Sequence, residues 1–277
     1  MDRISVIPTS QKGYKISQNK QGYFLSFFAD GIYAIESVES PLNIKVNSGL
    51  NITLIEEHKQ GSNEIEIASD ASLKHEIINF ANKEQLDVIV NTFVSRGANY
   101  EQVLLDLDSN NVAFATTISL LEDNARASYF GSHFASSNNT KKIAVKIIND
   151  KPNTSAQIEA VGLCKDTSKL EFIGYGEIKR GAKGASSKQK CNLLILDATS
   201  FGSCKPILAI DEADVVASHS NSVGTIPSEI LFYLKSRGLH EKQIKELMIL
   251  GYTKPVITKI DDLDLQRQIL GKLGAEL

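Results

Sequence analysis

Alternation of apolar residues over most of the chain is the feature that most constrains its fold. From about Pro41 to Ile210, apolar side chains fall mostly at every second position, which is the period of a β-strand and places them on one face of a pleated ribbon. Clear examples are Ile143/Val145/Ile147 and Leu170/Phe172. Clusters of Asn, Ser, Gly and Asp separate the runs and predict turns. The pattern predicts a mainly β protein.

Two architectures accommodate so many successive strands, a β-sandwich and a β-helix. A sandwich needs tight two-residue hairpins such as Asn-Gly or Asp-Gly, and the one such pair, Asp30-Gly31, lies before the main run. The strand starts recur at irregular intervals, as in a coil whose turns differ in length. The sequence therefore favours the β-helix. Within it, Leu73, Ile77, Phe80 and Ala81 are spaced as on one face of a short helix.

The apolar period changes to that of a helix after Thr225. Pro227 lies at the expected start of a first helix, which should stop at Gly238. A second helix is expected from about Glu241 to Leu250, with Gly251 just beyond its end, and further helical pieces at 256–260 and 263–273. The predicted organisation is a short N-terminal region (1–40), a β-helix core (41–224) and an α-helical C-terminal domain (225–277).

Composition excludes several classes of function. The chain has 277 residues with 30 basic and 33 acidic side chains, a net charge of −3, so no basic field is available for nucleic acid. No apolar stretch is long enough to cross a membrane, and Asp2 and Arg3 stand where a signal peptide would need an apolar core, so none is expected. Cys164, Cys191 and Cys204 are an odd number without metal-finger spacing, which indicates thiols in a reducing compartment. The cytoplasm, or an organelle stroma, is the expected location.

The stretch 206–252 carries a family resemblance. It reads PILAIDEADVVASHSNSVGTIPSEILFYLKSRGLHEKQIKELMILGY, a Pro-containing strand, a Ser-His pair, a Phe-Tyr-Leu helix, Ser-Arg-Gly, and a short helix ending in Gly-aromatic. In this order the pieces closely resemble the SufB/SufD family of iron–sulfur cluster assembly proteins. The chain is more similar to SufD, because Ser220 rather than Glu follows His219 and no Cys lies between Thr199 and Ser203.

The resemblance implies a fold, a role and partners. The fold is a right-handed parallel β-helix with a small α-helical C-terminal cap. The role is that of a non-catalytic scaffold subunit of the SUF complex, not of an enzyme. Its last strands would pair with a SufB-like paralogue, and its C-terminal helices would bind SufC, an ATPase of the ABC type. A transient iron–sulfur cluster at the SufB interface is possible on this reading, with none bound stably.

His219 and Cys204 are the candidate ligands for a metal or cluster. A neutral imidazole offers a nitrogen lone pair to iron near pH 7, and thiolate is the soft ligand that iron and sulfide prefer. His219 also matches a family histidine at the SufB interface. The alternative is a histidine hydrogen-bonded in a turn. Cys164 and Cys191 are expected to fill the core, although Cys191 and Cys204 lie on neighbouring predicted strands and can approach each other.

Two sets of residues are the candidate partner contacts. On the resemblance, the SufB interface comprises Pro206, Ile207, Leu208 and Ile210. The helix spacing allows Phe232 to share a face with Lys235, and Tyr233 with Arg237, so one side of this helix can face a partner groove. The expected SufC-binding residues are Phe232, Tyr233, Lys235, Arg237 and Gly238.

Two other functions remain open on the sequence. The chain can be a SufB-like, cluster-nucleating scaffold that acts as a homodimer when SufB is absent. β-Helices also host polysaccharide lyases and hydrolases, which need carboxylates on neighbouring strands and commonly an aromatic groove. The sequence disfavours this last reading, because aligned acids are few and Trp is absent.

Overall fold

The computed structural model describes residues 2–4, 9–11, 13–36, 41–57, 61–79, 85–108 and 110–273. Strands dominate this part of the chain up to residue 225, and helices follow. The strands are β1 (Asp2–Ile4), β2 (Thr9–Gln11), β3 (Tyr14–Asn19), β4 (Gly22–Phe27), β5 (Gly31–Glu36), β6 (Leu42–Val46), β7 (Asn51–Glu57), β8 (Gly61–Ile67), β9 (Ser72–Asn79), β10 (Gln85–Val94), β11 (Asn99–Asp106), β12 (Asn111–Leu120), β13 (Arg126–Ala135), β14 (Thr140–Asn149), β15 (Ser155–Cys164), β16 (Lys169–Ile178), β17 (Ser186–Ile195), β18 (Phe201–Ile210) and β19 (Val216–Thr225). The helices are α1 (Ser228–Ser236), α2 (Glu241–Ile257) and α3 (Leu263–Lys272).

The strands form two facing sheets joined into a parallel β-solenoid. From β4 onward successive strands alternate between the sheets, and each strand pairs in parallel with the second strand after it. The odd-numbered strands from β5 to β19, with β1, make a nine-stranded sheet, and the even-numbered strands with β3 make a ten-stranded one. Antiparallel pairing among the described strands is confined to β2, β3 and β4. The predicted β-helix is confirmed, and Asp30-Gly31 joins the two sheets instead of closing a hairpin.

The core lies between the sheets and follows the alternation read from the sequence. Ile143, Val145 and Ile147 of β14 point inward and are buried. Lys142, next to Ile143 on the same strand, points outward and is exposed. Because parallel pairing keeps partners on one face, the inward positions of successive strands stack into columns. We call two consecutive strands, one from each sheet, a coil.

One corner of the solenoid is built by residues in the left-handed backbone conformation. Asp70, Asn124 and Asn153 have φ values of 59°, 62° and 56°, a conformation that Asn, Asp and Gly adopt most easily. The same place is taken by Gly97 in the coil between Asp70 and Asn124 and by Gly184 in the coil after Asn153, with φ of 65° and 70°. Each of these residues donates its backbone N–H to the corner of the next coil, at 2.7–3.2 Å. The chain thus turns in the same way once per coil.

Helices α2 and α3 pack on the outer face of the nine-stranded sheet, not on the end of the solenoid. Val256, Ile257 and Ile269 are buried against outward-facing Val103 and Phe130 of β11 and β13. The covered positions include further residues of β7, β9 and β11, namely Ile55, Ile78 and Leu105. The C-terminal helices therefore bury part of one sheet and leave the last strands uncovered.

Two helix predictions need correction. The segment around Leu73 and Ile77 is strand β9, while Phe80 and Ala81 lie outside the described residues. It resembles a helix because Ile78, on the outer side, is buried under the C-terminal helices, so both faces read as apolar. Helix α2 does not end at Leu250 but continues to Ile257, and the piece expected at 256–260 is partly its last turn.

Packing explains the longer helix. Beyond Leu250, α2 buries Thr253, Val256 and Ile257 on the sheet, which outweighs the helix-breaking tendency of Gly251 and Pro255.

The boundaries of α1 and α3 agree with the sequence. Helix α1 ends just before Gly238, whose φ is +88°, and α3 begins with Asp262 accepting the Asp264 and Leu265 N–H groups at 2.9 and 3.0 Å.

The region expected to precede the β-helix already contributes strands to it. β4 and β5 both lie within residues 1–40. β4 pairs with β6 and β5 pairs with β7, which belong to the solenoid. No helix in the described part of the chain combines the length and apolar character needed to cross a membrane.

Candidate functional site

The last coil of the solenoid, β18 and β19, is uncovered and forms the candidate site. We call these two strands the terminal coil. β18 pairs with β16 and β19 pairs with β17, and no described strand lies on their other side. Burial drops abruptly as a result: β17 alternates between buried and exposed positions, whereas nearly all of β19 is exposed. Both strands thus present free edges and the side chains that would otherwise be interior.

The backbone N–H and C=O groups of β18 are oriented so that its open edge can pair with a further strand. Phe201 and Asp211 donate their N–H groups to Ser168 and Ile178 on the β16 side, at 2.9 Å each. Because the bonding direction alternates along a strand, the even-numbered residues of β18 face the open side. Pro206 is one of these, so its missing N–H removes no bond within the chain.

The predicted interface residues all lie on this strand. Ile207 and Ile210 are each 41% exposed, while Pro206 and Leu208 are half-buried and point inward over Gly174 and Gly176 of β16. Val223 of β19, which points inward above Leu193, is 43% exposed. An incoming strand pair would bury these apolar side chains.

Cys204 points inward from β18, where it meets a second thiol. It is half-buried above Phe172 and packs against the core that contains Cys191 of β17. The neighbouring Cys204 thiol, together with burial, raises the pKa of Cys191, and the Cys191 thiol lowers the pKa of Cys204. Cys204 is therefore the thiol of the pair that ionises first.

His219 lies on β19 in the same coil. It points inward in register with Gln189 of β17, yet its side chain is exposed because nothing described lies above it. Cys204 and His219 thus share the terminal coil but stand on opposite sheets. Among the residues described, no three His, Cys, Asp or Glu side chains gather in a group able to hold a metal. Their role as cluster ligands stays a prediction.

Helix α1 carries the predicted ATPase contacts and stands away from the solenoid. None of its residues is buried, and Phe232 and Tyr233 are 75% and 55% exposed. The Arg237 guanidinium lies over the Tyr233 ring, 5.3 Å from its centroid, as the spacing of the two residues indicated. Lys235 pairs with Glu241 at 3.5 Å, where α2 begins.

The sequence did not reveal two polar clusters inside the solenoid. In the first, the His75 imidazole contacts the Glu56 carboxylate at 2.6 Å and the Tyr100 hydroxyl at 3.0 Å. Asn63 donates to the same carboxylate at 2.6 Å. All four side chains are inaccessible to solvent.

The second cluster is centred on Asp106. The buried Lys141 ammonium contacts the Asp106 carboxylate at 2.6 Å, and Asn79 donates to it at 2.9 Å. His133 lies 3.9 Å from the other carboxylate oxygen, and its second nitrogen is 3.1 Å from the Tyr129 hydroxyl. Burial opposes ionisation of Asp106, but Lys141 and His133 together outweigh it and lower the carboxyl pKa. Burial also lowers the pKa of His133.

A signal for these clusters was present in the strand pattern. His75 lies between Leu73 and Ile77, and Lys141 is two residues before Ile143, so both occupy inward positions of their strands. A polar residue at an inward position needs a partner inside the core. Those partners come from other strands, and the sequence does not show which.

Comparison with known proteins gives the family. The sequence profile described as "SUF system FeS cluster assembly, SufBD core domain" matches residues 35–252. The chain belongs to the SufBD family. The matched span begins in β5 and ends within α2, so it includes the whole terminal coil and α1.

Two staphylococcal proteins are among the curated relatives. An iron-sulfur cluster assembly SufBD family protein of Staphylococcus epidermidis is 32% identical over 193 residues, which cover 69% of this chain and 42% of that protein. A Staphylococcus aureus relative with the same family description is 28% identical over 251 residues, 88% of this chain and 52% of the relative. The chain spans about half the length of the curated relatives it matches.

Proposed function

We propose that this SufBD family member is a scaffold subunit of SufD type in iron–sulfur cluster assembly. It joins a SufB-like paralogue through the terminal coil and binds a SufC-type ABC ATPase through its C-terminal helices. Family membership and the uncovered terminal coil support this role. The three cysteines are free thiols, which agrees with a reducing cytosol or stroma.

The free edges of β18 and β19 carry the pairing part of the proposal. Unpaired strand edges with apolar side chains attract other strands, and proteins normally shield them with charge, short strands or a covering element. Here both edge strands are ten residues long, and Ile207, Ile210 and Val223 are exposed on them. A second solenoid added edge to edge would satisfy the backbone and continue the core.

Helix α1 carries the docking part. An isolated surface helix that exposes Phe232 and Tyr233 beside Arg237 offers the aromatic and cationic anchors common at protein interfaces. The helix is short and contacts α2, and its Lys235 pairs with Glu241 at the start of α2. The two proposed surfaces lie on different elements and can be tested separately.

Co-expression with a SufB-like paralogue and a SufC-type ATPase tests the role. The expected result is one complex by size-exclusion chromatography that contains all three chains. Failure of the chain to co-elute with either partner would contradict the proposal.

Matched substitutions divide the two contacts. Ile210→Lys should abolish co-elution with the paralogue and spare the ATPase, while Ile89→Lys, at a more exposed isoleucine on the outer face of β10, should change neither. Arg237→Glu should weaken ATPase binding at least tenfold and spare the paralogue. Arg267→Glu on α3, where Arg267 is 69% exposed, is its control.

A second candidate function is a SufB-like scaffold that nucleates the cluster as a homodimer. The half-exposed thiol of Cys204, whose pKa is lowered, and His219 in the same coil favour it, since a second copy would double these ligands. Anaerobic reconstitution with iron and sulfide would then give charge-transfer absorption that weakens in Cys204→Ser. If the chain alone stays colourless, the scaffold role without a resident cluster is favoured.

A further inference from the structure

Cys191 and Cys204 are a thiol pair that the scaffold role does not use. They lie on consecutive strands of opposite sheets, close to the corner that joins β17 to β18. Both point into the solenoid: Cys191 stacks on Ala160 of β15, and Cys204 stacks on Phe172 of β16. Contacts on either side place them opposite each other across the interior. A Cβ on Gly202 would lie 3.6 Å from Leu193, and the Gln189 side chain donates to the Ile207 carbonyl at 2.8 Å, so Cys204 faces Cys191 between these two contacts.

The two members of the pair differ in their access to solvent. Cys191 is 3% exposed and belongs to the main core, whereas Cys204 lies at its margin and is half-buried, because the terminal coil has no described neighbour above it. Gly202, two residues before Cys204, adds no side chain to the inward face of β18. A small oxidant can therefore reach Cys204 from the open end and reach Cys191 only through it.

Cys164 provides an internal comparison. It is fully buried at the end of β15 and fills core space beside Gly202, with its sulfur 3.5 Å from where a Cβ on that glycine would stand. Burial raises the pKa of its thiol to about 12. Cys164 therefore serves as an apolar core residue that solvent does not reach.

We propose that Cys191 and Cys204 form a reversible intramolecular disulfide when the chain meets a hydroperoxide. The Cys204 sulfur attacks the peroxide: an S–O bond forms, the O–O bond breaks, and one water leaves with the thiol proton. The Cys191 sulfur then attacks the resulting sulfenic acid, so that the S–S bond forms, the S–O bond breaks, and a second water leaves with the Cys191 proton. Two thiols are oxidised and hydrogen peroxide is reduced to water.

The disulfide would join β17 of one sheet to β18, the last strand of the other sheet. β18 is an edge strand held on one side by β16, and the bond would tie it to β17 from within the core. A small-molecule dithiol reverses the bond by thiol–disulfide exchange. The modification goes beyond the scaffold role and needs no partner protein, so it stands or fails separately.

Peptide mapping of the oxidised full chain tests the proposal. The purified chain is treated with hydrogen peroxide, blocked with N-ethylmaleimide in acid denaturant, and digested with a protease that cleaves before Asp. Because such cuts fall before Asp150, Asp166, Asp197 and Asp211, each cysteine lies on its own peptide. We expect at least half of the chain to yield a crosslink between peptides 166–196 and 197–210 that separates on reduction.

Three variants complete the experiment. Cys164→Ala should form the crosslink as the parent chain does, and Cys204→Ser should lose it. In Cys191→Ala, dimedone should trap the sulfenic acid on Cys204, which keeps the test valid if the other variant folds poorly. A crosslink through Cys164, a disulfide between two copies, or Cys204 recovered as the maleimide adduct would overturn the proposal.

Discussion

The middle coils and the terminal coil share one construction but differ in what lies beside them. His133 in β13 and His219 in β19 both point inward from the same sheet, yet His133 is 1% exposed and paired, and His219 is open to solvent. Leu193 and Val223 are register partners with the same contrast, at 3% and 43% exposure. In a solenoid, a residue is therefore core or surface according to whether another coil follows, not according to its type.

The comparison also separates two uses of polar residues. Inside the middle coils, polar side chains such as Asp106 and Lys141 are matched to one another and fixed. In the terminal coil no described coil lies above the inward polar and apolar groups. Stability should thus depend on the middle coils and association on the terminal coil, which substitutions can test.

The largest effect is expected at the buried ion pair. Lys141→Met leaves the Asp106 carboxylate buried without its cation, and should lower the free energy of unfolding by about 3–5 kcal/mol. Lys142→Met, at the exposed neighbour on the same strand, should change it by less than about 0.5 kcal/mol. Urea denaturation followed by circular dichroism measures both, and equal effects would contradict the contrast.

Truncation of the register partners gives the next effect. Leu193→Ala opens a cavity between occupied coils and should cost about 2–5 kcal/mol. Val223→Ala removes a side chain that is already hydrated, and should cost less than about 0.5 kcal/mol in the isolated chain. Repeating the melts with the paralogue bound sharpens the test, since Val223→Ala should then become destabilising. A large cost for Val223→Ala in the isolated chain would show that the terminal coil is already packed.

A smaller effect is expected where α2 and α3 cover the middle coils. Glu76 faces outward beneath them, and burial raises its pKa from 4.5 to about 7, although the Asp261 N–H and Lys74 oppose the rise. The folded state therefore holds this proton between pH 4.5 and 7 while the unfolded state releases it. Stability should fall as pH rises through this window and stay level above it.

Glu76→Gln should remove this pH dependence. At pH 8 the variant should be more stable than the parent by about 1–3 kcal/mol, because no buried charge remains. Glu66→Gln, at a side chain 60% exposed, is the matched control and should leave the pH profile unchanged. Thermal melts from pH 4 to pH 9 measure the difference, and a less stable Glu76→Gln at pH 8 would show that the Lys74 pairing outweighs burial.

The smallest effect on folding is expected at His219. Its exposed imidazole has no described neighbour above it, so His219→Ala should change the free energy of unfolding by less than about 0.5 kcal/mol. Cluster formation by the assembled complex should nevertheless decline. Anaerobic reconstitution with the partners present measures this, and loss of folding would contradict the expectation by showing that the histidine is needed for the fold.

The sequence predicts the repetitive parts of this molecule well. Alternation through Ile143, Val145 and Ile147 is enough to place a strand and its inward face, and Gly238 marks the end of α1. The β-helix was preferred over a sandwich for lack of tight hairpins, and the parallel pairing confirms this. These features are local, because one strand period and one backbone preference decide them.

Features that depend on packing between distant segments were not predictable. Leu73 and Ile77 were assigned to a helix from their spacing with Phe80 and Ala81. The sequence does not show that Ile78 beside them is covered by the far end of the chain. The contact of Cys191 with Cys204 was only a possibility in the sequence, since it depends on how two strands face each other across the core. The placement of α2 and α3 on a sheet face, rather than on the open end, likewise followed from no local pattern.

The repeated left-handed corner gives every coil the same advance along the solenoid axis. Each circuit from one corner residue to the next, as from Asn124 to Asn153, advances the axis by one strand spacing of about 4.8 Å. Its two boundaries have the same backbone geometry, so an entire circuit can in principle be removed or duplicated without disturbing the joints on either side. The distance from the antiparallel β2–β4 end to the β18–β19 edge is then set by the number of corners alone.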